Sequence, residues 1–261
     1  MLYKRVLSAA AGIPLLLLAV WYGGWAHFAL TVLIMVFALF ELNRIFAGMD
    51  LRPSLPVMVS GVLILSASAY AGGNEALGLT FVPVIGLVLL SGVFRYPRLR
   101  PVDVAAGLTG TFYIVLFVYF YLVRTLDGGW VWMLAMLAGT WAGDTVAYFV
   151  GKKIGRKKLA PSLSPGKTVE GAIGGIAGSV LGVLLIYLVY PYYLVYKFIA
   201  LGVLVGISGI LGDLFESSLK RTAGVKDAGL IIPGHGGVLD RFDSMLFAAP
   251  TVYYFVALFI G

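Results

Sequence analysis

From residue 213 to residue 243 the chain reads "DLFESSLKRTAGVKDAGLIIPGHGGVLDRFD", a dense run of ionisable side chains in a protein that is 61% hydrophobic and 12% charged. Asp213, Glu216, Ser217 and Lys220 stand at i, i+3, i+4 and i+7, so a helix places them on one face. One reading of that face is a hydrated helix end with a Glu216 to Lys220 pair. The other gives weight to Asp213, which follows the apolar "LGVLVGISGILG" and so needs a cation. Asp240 and Asp243, at i and i+3, open the last apolar run, where acidic residues also suit the positive end of a helix. Carboxylates gathered in this way repel unless something neutralises them. Magnesium does so with one or two carboxylates plus substrate phosphates, and the expected metal ligands are Asp144, Asp213, Glu216, Asp240 and Asp243.

Between the two acidic faces Gly224, Gly229, Gly234, Gly236 and Gly237 allow a tight loop whose N–H groups can approach an anion, with Lys226 adding charge. His235 fits a ligand, a phosphate donor or a loop hydrogen bond equally well. Asp144, in "TWAGDTVAYFVGKK", shares its helical face with Tyr148 and Lys152 and is a further buried carboxylate, open to pairing with a neighbouring helix. The basic run after it suits anionic lipid headgroups. "GKT" at 166 to 168 is not a phosphate-binding P-loop: Pro161 occupies the first glycine position, and no preceding strand is expected. Lys167 and Glu170, at the mouth of the next apolar run, are the better site candidates.

The elements that must hold these groups are membrane helices. A mean hydropathy of +0.98 over 261 residues exceeds what one soluble core could bury. Measured against the roughly 20 residues a helix needs to cross a bilayer, the apolar runs fall at 5–22, 25–46, 55–71, 76–94, 102–123, 129–150, 168–190, 193–219 and 241–260. The fold class expected is all-α and polytopic, with about nine transmembrane helices. The first run is kept as a span, since "AVWYGGWA" offers no small-residue cleavage site. With the N terminus cytoplasmic, every Lys and Arg falls on that side except Arg124 and Lys197, and the C terminus lies outside. The formal charge of +7 is therefore topological, and nucleic acid is not an expected partner. Cysteine is absent, which excludes disulfides and thiolate chemistry. The chain is one membrane unit with a soft division. Residues 1–125 supply packing helices and lipid access, and 126–261 hold the chemistry, because ionisable groups enter the spans from Asp144 onward. Gly171, Gly174, Gly175, Gly178 and Gly182 predict close helix packing for the span they line.

The segment "SSLKRTAGVKDAGLIIPGHGGVLDRFD", residues 217 to 243, together with "DTVAYFVGKKIGRKKLAPSLSPGKTVEG", resembles the CDP-diacylglycerol synthase (phosphatidate cytidylyltransferase) family. Ala228, where the family often has serine, and Gly166, where it often has a basic residue, depart from its pattern. The resemblance implies an all-helical, homodimeric enzyme of the bacterial plasma membrane. Its site faces the cytoplasm and joins CTP to phosphatidic acid with Mg2+, with a second metal ion, divalent or K+, as an open expectation. On that reading Asp213, Lys226, Asp227, Asp240 and Asp243 are catalytic. Lys167, Glu170, Ser217, Lys220, Arg221, His235, Gly236, Gly237 and Arg241 bind substrate.

Three rivals differ in what they would do. A CDP-alcohol phosphotransferase lacks its Asp-Gly, Ala-Arg and spaced-aspartate pattern here; the only Asp-Gly, Asp127–Gly128, falls in an outer loop. A CTP-dependent polyprenol kinase would release CDP, where a synthase releases pyrophosphate. A cation-coupled transporter would place its acidic residues near the midplane rather than toward one face.

Overall fold

In long apolar runs the backbone has no polar partner within a bilayer except its own carbonyl one turn back, and the chain is accordingly helical almost throughout. The computed structural model describes residues 2–260 except Tyr192, Leu230, Pro233 and His235, with backbone alone for Leu2 and residues 4–9. The helices are α1 (Leu2–Tyr22), α2 (Gly24–Gly48), α3 (Leu55–Phe94), α4 (Pro101–Val115), α5 (Val118–Thr125), α6 (Gly129–Ile154), α7 (Val169–Val189), α8 (Val195–Thr222) and α9 (Leu239–Phe259). Among the described residues 7 helical segments are long and apolar enough to cross a membrane: α2, α3, α4 with α5, α6, α7, α8 and α9. Within α1 the described apolar stretch is Ala10–Tyr22.

Helix α3 has 40 residues, which as a straight rod would measure about 60 Å, twice a hydrocarbon core. It does not run straight. Gly72 and Gly73 leave helical geometry, Gly73 with φ 65°, a left-handed value that costs glycine nothing. A Cβ added to Gly61 would stand 3.1 Å from Val84, although a straight helix would separate these residues by about 35 Å. The two halves therefore fold back on each other as a helical hairpin. The separate runs expected at 55–71 and 76–94 are its arms. The run at 102–123 is likewise interrupted, between α4 and α5, at Leu116 and Phe117.

Two short strands depart from the all-α expectation. Strands β1 (Lys158–Ala160) and β2 (Ser164–Thr168) pair antiparallel, Lys158 opposite Thr168 and Ala160 opposite Ser164. Periodicity over so few residues gives no signal, and the pairing is fixed instead by neighbours. Glu170 accepts from the N–H groups of Arg156 and Lys157, and Val169 N–H donates to Lys157 at 2.8 Å. A strand thus does lead into "GKT", while Pro161 still occupies the position a P-loop glycine would need.

The chain divides into two units, residues 1–122 with 219–242, and residues 123–218 with 243–261; the divisions fall within α5, within α8 and within α9. In the first unit the ends of α2, α3 and α8 meet the start of α4. Gly48 lies against Ala223, while buried Asp103 takes the Arg100 guanidinium at 2.9 Å and the Arg52 N–H at 2.8 Å. At the opposite end of this unit Tyr119 donates to Asn74 at 2.9 Å. In the second unit α6 and α7 pack antiparallel along the glycine face read from the sequence. Added Cβ atoms at Gly174, Gly178 and Gly182 would fall within 2.4 to 2.8 Å of Val150, Val146 and the Ala138 carbonyl. Close backbone approach of this kind is how helices associate where lipid competes for every apolar side chain.

Candidate active site

In the first unit the polar loop between α8 and α9 is built around Asp240. Helix α8 ends at Thr222 with Gly224 in the left-handed region (φ 70°), and Val225 N–H closes back on the Lys220 carbonyl. The chain then turns through Gly234 and Gly236, both at positive φ, and Ile232 N–H donates to the Gly236 carbonyl at 2.9 Å. Asp240 binds the loop at three points. One carboxylate oxygen accepts from Lys220 Nζ at 2.7 Å; the other accepts from Ala228 N–H at 2.9 Å and Gly237 N–H at 2.8 Å. The Lys220 and Asp240 side chains are only 12% and 6% exposed, so each is the charge that makes the other tolerable in that place. Gly236 and Gly237 are required for room: a Cβ on Gly236 would lie 2.9 Å from the Asp240 carboxylate.

A residue the sequence reading passed over completes this loop. Glu41 of α2 is fully buried and accepts from Val238 N–H at 3.0 Å and Leu239 N–H at 2.8 Å. Val238 immediately precedes α9 and Leu239 begins it, so no intrahelical acceptor reaches either amide. The expectation that ionisable groups enter the spans only from Asp144 onward passed over this carboxylate, as it did Asp103 at the start of α4. An acid inside the apolar run at 25–46 was the available signal.

In the second unit α8 and α9 cross at Gly212, where a Cβ would fall 2.4 Å from the Asp243 carbonyl oxygen. Asp213 and Asp243 therefore stem from one crossing. Asp213 accepts from Ser217 at 3.3 Å and pairs with Lys167 Nζ at 2.5 Å. Strand β2 and the N-cap of α7 set Lys167: the neighbouring Thr168 hydroxyl accepts from Gly171 N–H at 3.1 Å, which fixes where the strand becomes helix. With side chains 25% and 34% exposed, the Lys167–Asp213 pair opens to another partner at less cost than the Lys220–Asp240 pair, although Lys167 Nζ itself is buried. Asp243 accepts from Ser244 N–H at 2.7 Å. Asp144 lines a cavity of about 20 Å³ with Thr140 and Ser179, the size of one water molecule. Lys152 lies over the Tyr148 ring at 5.8 Å, as their i, i+4 spacing allows.

The expected site residues are thus distributed by role. Lys220 reaches Asp240, and Glu216, one turn before it on α8, is fully buried. Glu170 turns its carboxylate to the backbone of Arg156 and Lys157. Lys226, Asp227, Arg221 and Arg241 are exposed on the loop and the helix ends beside it. His235 lies outside the described residues. Among the described residues no three His, Cys, Asp or Glu side chains are grouped to hold a metal. Magnesium needs fewer, since water and phosphate oxygens complete its shell. Asp213 and Asp243 suit it, with an exchangeable partner on the first, whereas both Asp240 oxygens are engaged by buried donors.

Fold and site define a class: a polytopic helical membrane protein that holds carboxylates and lysines in facing pairs, with a glycine-rich polar loop between its last helices. Residues 3–259 match the model of the cytidylyltransferase family. The chain is 36% identical over 290 aligned residues to the phosphatidate cytidylyltransferase of Synechocystis sp., covering 98% of this chain and 97% of that protein. To the phosphatidate cytidylyltransferase of Staphylococcus haemolyticus it is 34% identical, covering 95% of this chain and 96% of that one. The Bacillus subtilis phosphatidate cytidylyltransferase is 41% identical over 66% of this chain and 63% of its own length. The chain belongs to the cytidylyltransferase family.

Proposed function

We propose that the protein transfers the cytidylyl group of CTP to phosphatidic acid, yielding CDP-diacylglycerol and pyrophosphate for phospholipid synthesis. A phosphate oxygen of the lipid bonds to the α-phosphorus of CTP as the bond from that phosphorus to the β-phosphate oxygen breaks. The attacking phosphomonoester, with a second pKa of about 6, is already ionised at neutral pH. No strong base is needed. The obstacle is the approach of one anion to another, and fixed positive charge is what lowers it. The observation that carries this reading is the Lys167–Asp213 pair at 2.5 Å, a cation held beside a carboxylate by a partner it can exchange.

Asp213 and Asp243 hold Mg2+ in this proposal. The metal supplies charge neutralisation for the triphosphate. Lys167, released from Asp213, turns to phosphate, and Lys226, Arg221 and Arg241 add positive charge along the loop. Asp240 and Lys220 keep the loop in shape for the nucleotide, with Gly236, Gly237 and His235 in its wall. Asp227 and Ser217 complete the polar contacts, and Asp144 and Glu216 support the acidic residues. Counting the arms of the α3 hairpin and α1 separately, the chain crosses the membrane nine times, N terminus inside and C terminus outside. It works as a homodimer in the bacterial inner membrane and takes its lipid sideways from the cytoplasmic leaflet. Support for the dimer is the family resemblance.

Detergent-purified protein given magnesium and cytosine-labelled CTP, with and without phosphatidic acid, tests this. Lipid-dependent pyrophosphate release with label entering the lipid phase is expected. Release of CDP without label in the lipid would make the protein a lipid kinase instead.

A further inference from the structure

Glu41 has no part in the reaction as proposed, yet it is a carboxylate fully withdrawn from solvent beside the loop. Burying such a group is costly unless its oxygens are satisfied. Here Val238 N–H and Leu239 N–H satisfy them, at 3.0 and 2.8 Å. Two glycines close on the same carboxylate: a Cβ on Gly229 or Gly237 would lie 2.3 or 2.5 Å from its oxygens. One side chain from α2 therefore touches both limbs of the loop between α8 and α9, while Asp240 ties the same limbs through Ala228 and Gly237.

We infer that Glu41 is a positioning residue. It fixes the loop and the first turn of α9, and thereby sets where Lys226, Asp227 and Arg241 are presented to the nucleotide. The identity of that nucleotide rests on the cytidylyl-transfer reading; the holding of the loop does not. Residue 41 lies far from the loop in sequence, so part of the nucleotide specificity is written in a helix that otherwise looks like packing.

Full-length wild type, Glu41→Gln, Glu41→Asp and Gly229→Ala in detergent test it by two readouts. Glutamine keeps the size and one acceptor but turns an amide N–H toward a backbone N–H, which removes one buried hydrogen bond. Hydrogen exchange of peptides covering 225–240 is expected to quicken on the order of tenfold in Glu41→Gln, with peptides of α6 and α7 unchanged. The KM for CTP rises by about the same factor while the KM for phosphatidic acid stays put. Glu41→Asp, which keeps both acceptors, recovers part of each effect. Gly229→Ala, which leaves the carboxylate and wedges a methyl against it, gives the same pattern whether or not Glu41→Gln folds. Unchanged exchange at 225–240 overturns the inference. So does loosening of the whole chain with kcat and both KM values moving together, which marks a merely structural role. A wild type that makes no CDP-diacylglycerol refutes the reaction instead, and the exchange experiment still decides the role of Glu41.

Discussion

The two lysine–aspartate pairs look alike in sequence and differ in what their loss would do. Lys220→Met strands the nearly enclosed Asp240 and is expected to lower stability by roughly 3 kcal/mol, since breaking a buried pair leaves a charge without its counter-charge. Lys167→Met removes a partly exposed partner and should cost less than about 1 kcal/mol. Its effect belongs to turnover, which should fall on the order of 10²-fold if the lysine neutralises charge in the transition state. Thermal unfolding in detergent alongside kinetics separates the two; equal stability losses would contradict the assignment. Asp243→Ala is expected to abolish cytidylyl transfer with expression and folding retained, and normal turnover would remove Asp243 from the reaction.

Helices in this chain are positioned by what glycine leaves out. At the crossing of α8 and α9 a methyl on Gly212 would sit 2.4 Å from the Asp243 carbonyl oxygen, and this is backbone that cannot rotate away. Gly212→Ala should therefore cost about 1–3 kcal/mol by overpacking and move α9 with it. Both unfolding temperature and turnover should drop, whereas Gly166→Ala, with open space around it, leaves both unchanged. The α3 hairpin depends on glycine for another reason. Gly73 has a left-handed φ, so the fold-back was visible in the sequence as two apolar runs flanking "AGGNEA", although one continuous helix of that length would also have been apolar.

At the scale of the molecule, sidedness is the property to test. The chain contains no cysteine, so single cysteines report without background. Arg98→Cys, in the α3–α4 connection, should be shielded from a membrane-impermeant maleimide in intact cells and react after permeabilisation; Asp127→Cys, before α6, should react in intact cells. The reverse pattern would invert the topology and carry the site to the other face. Within the first unit the contacts already sort the connections. Gly48 with Ala223 and Arg100 with Asp103 gather at one end, Tyr119 with Asn74 at the other, and Arg52, Arg95 and Arg100 belong to the former.

Hydropathy, the arginine and lysine asymmetry and the polar pattern of residues 213 to 243 sufficed to read a polytopic helical protein, its charged segment and its family. Each is carried by residues close together in the chain. The role of each charge was not legible there. Spacing offered Lys220 only the neighbours on its own helical face, whereas the folded chain also brings it Asp240, 20 residues on, because a buried charge is tolerated only beside an opposite one that packing supplies. Glu41 was legible only as an odd acid in an apolar run; its partners lie at Val238 and Leu239, across most of the chain. The composition determined that these carboxylates must be compensated if buried. Only the tertiary structure decided by what, since the donors that satisfy a buried group are brought to it by packing.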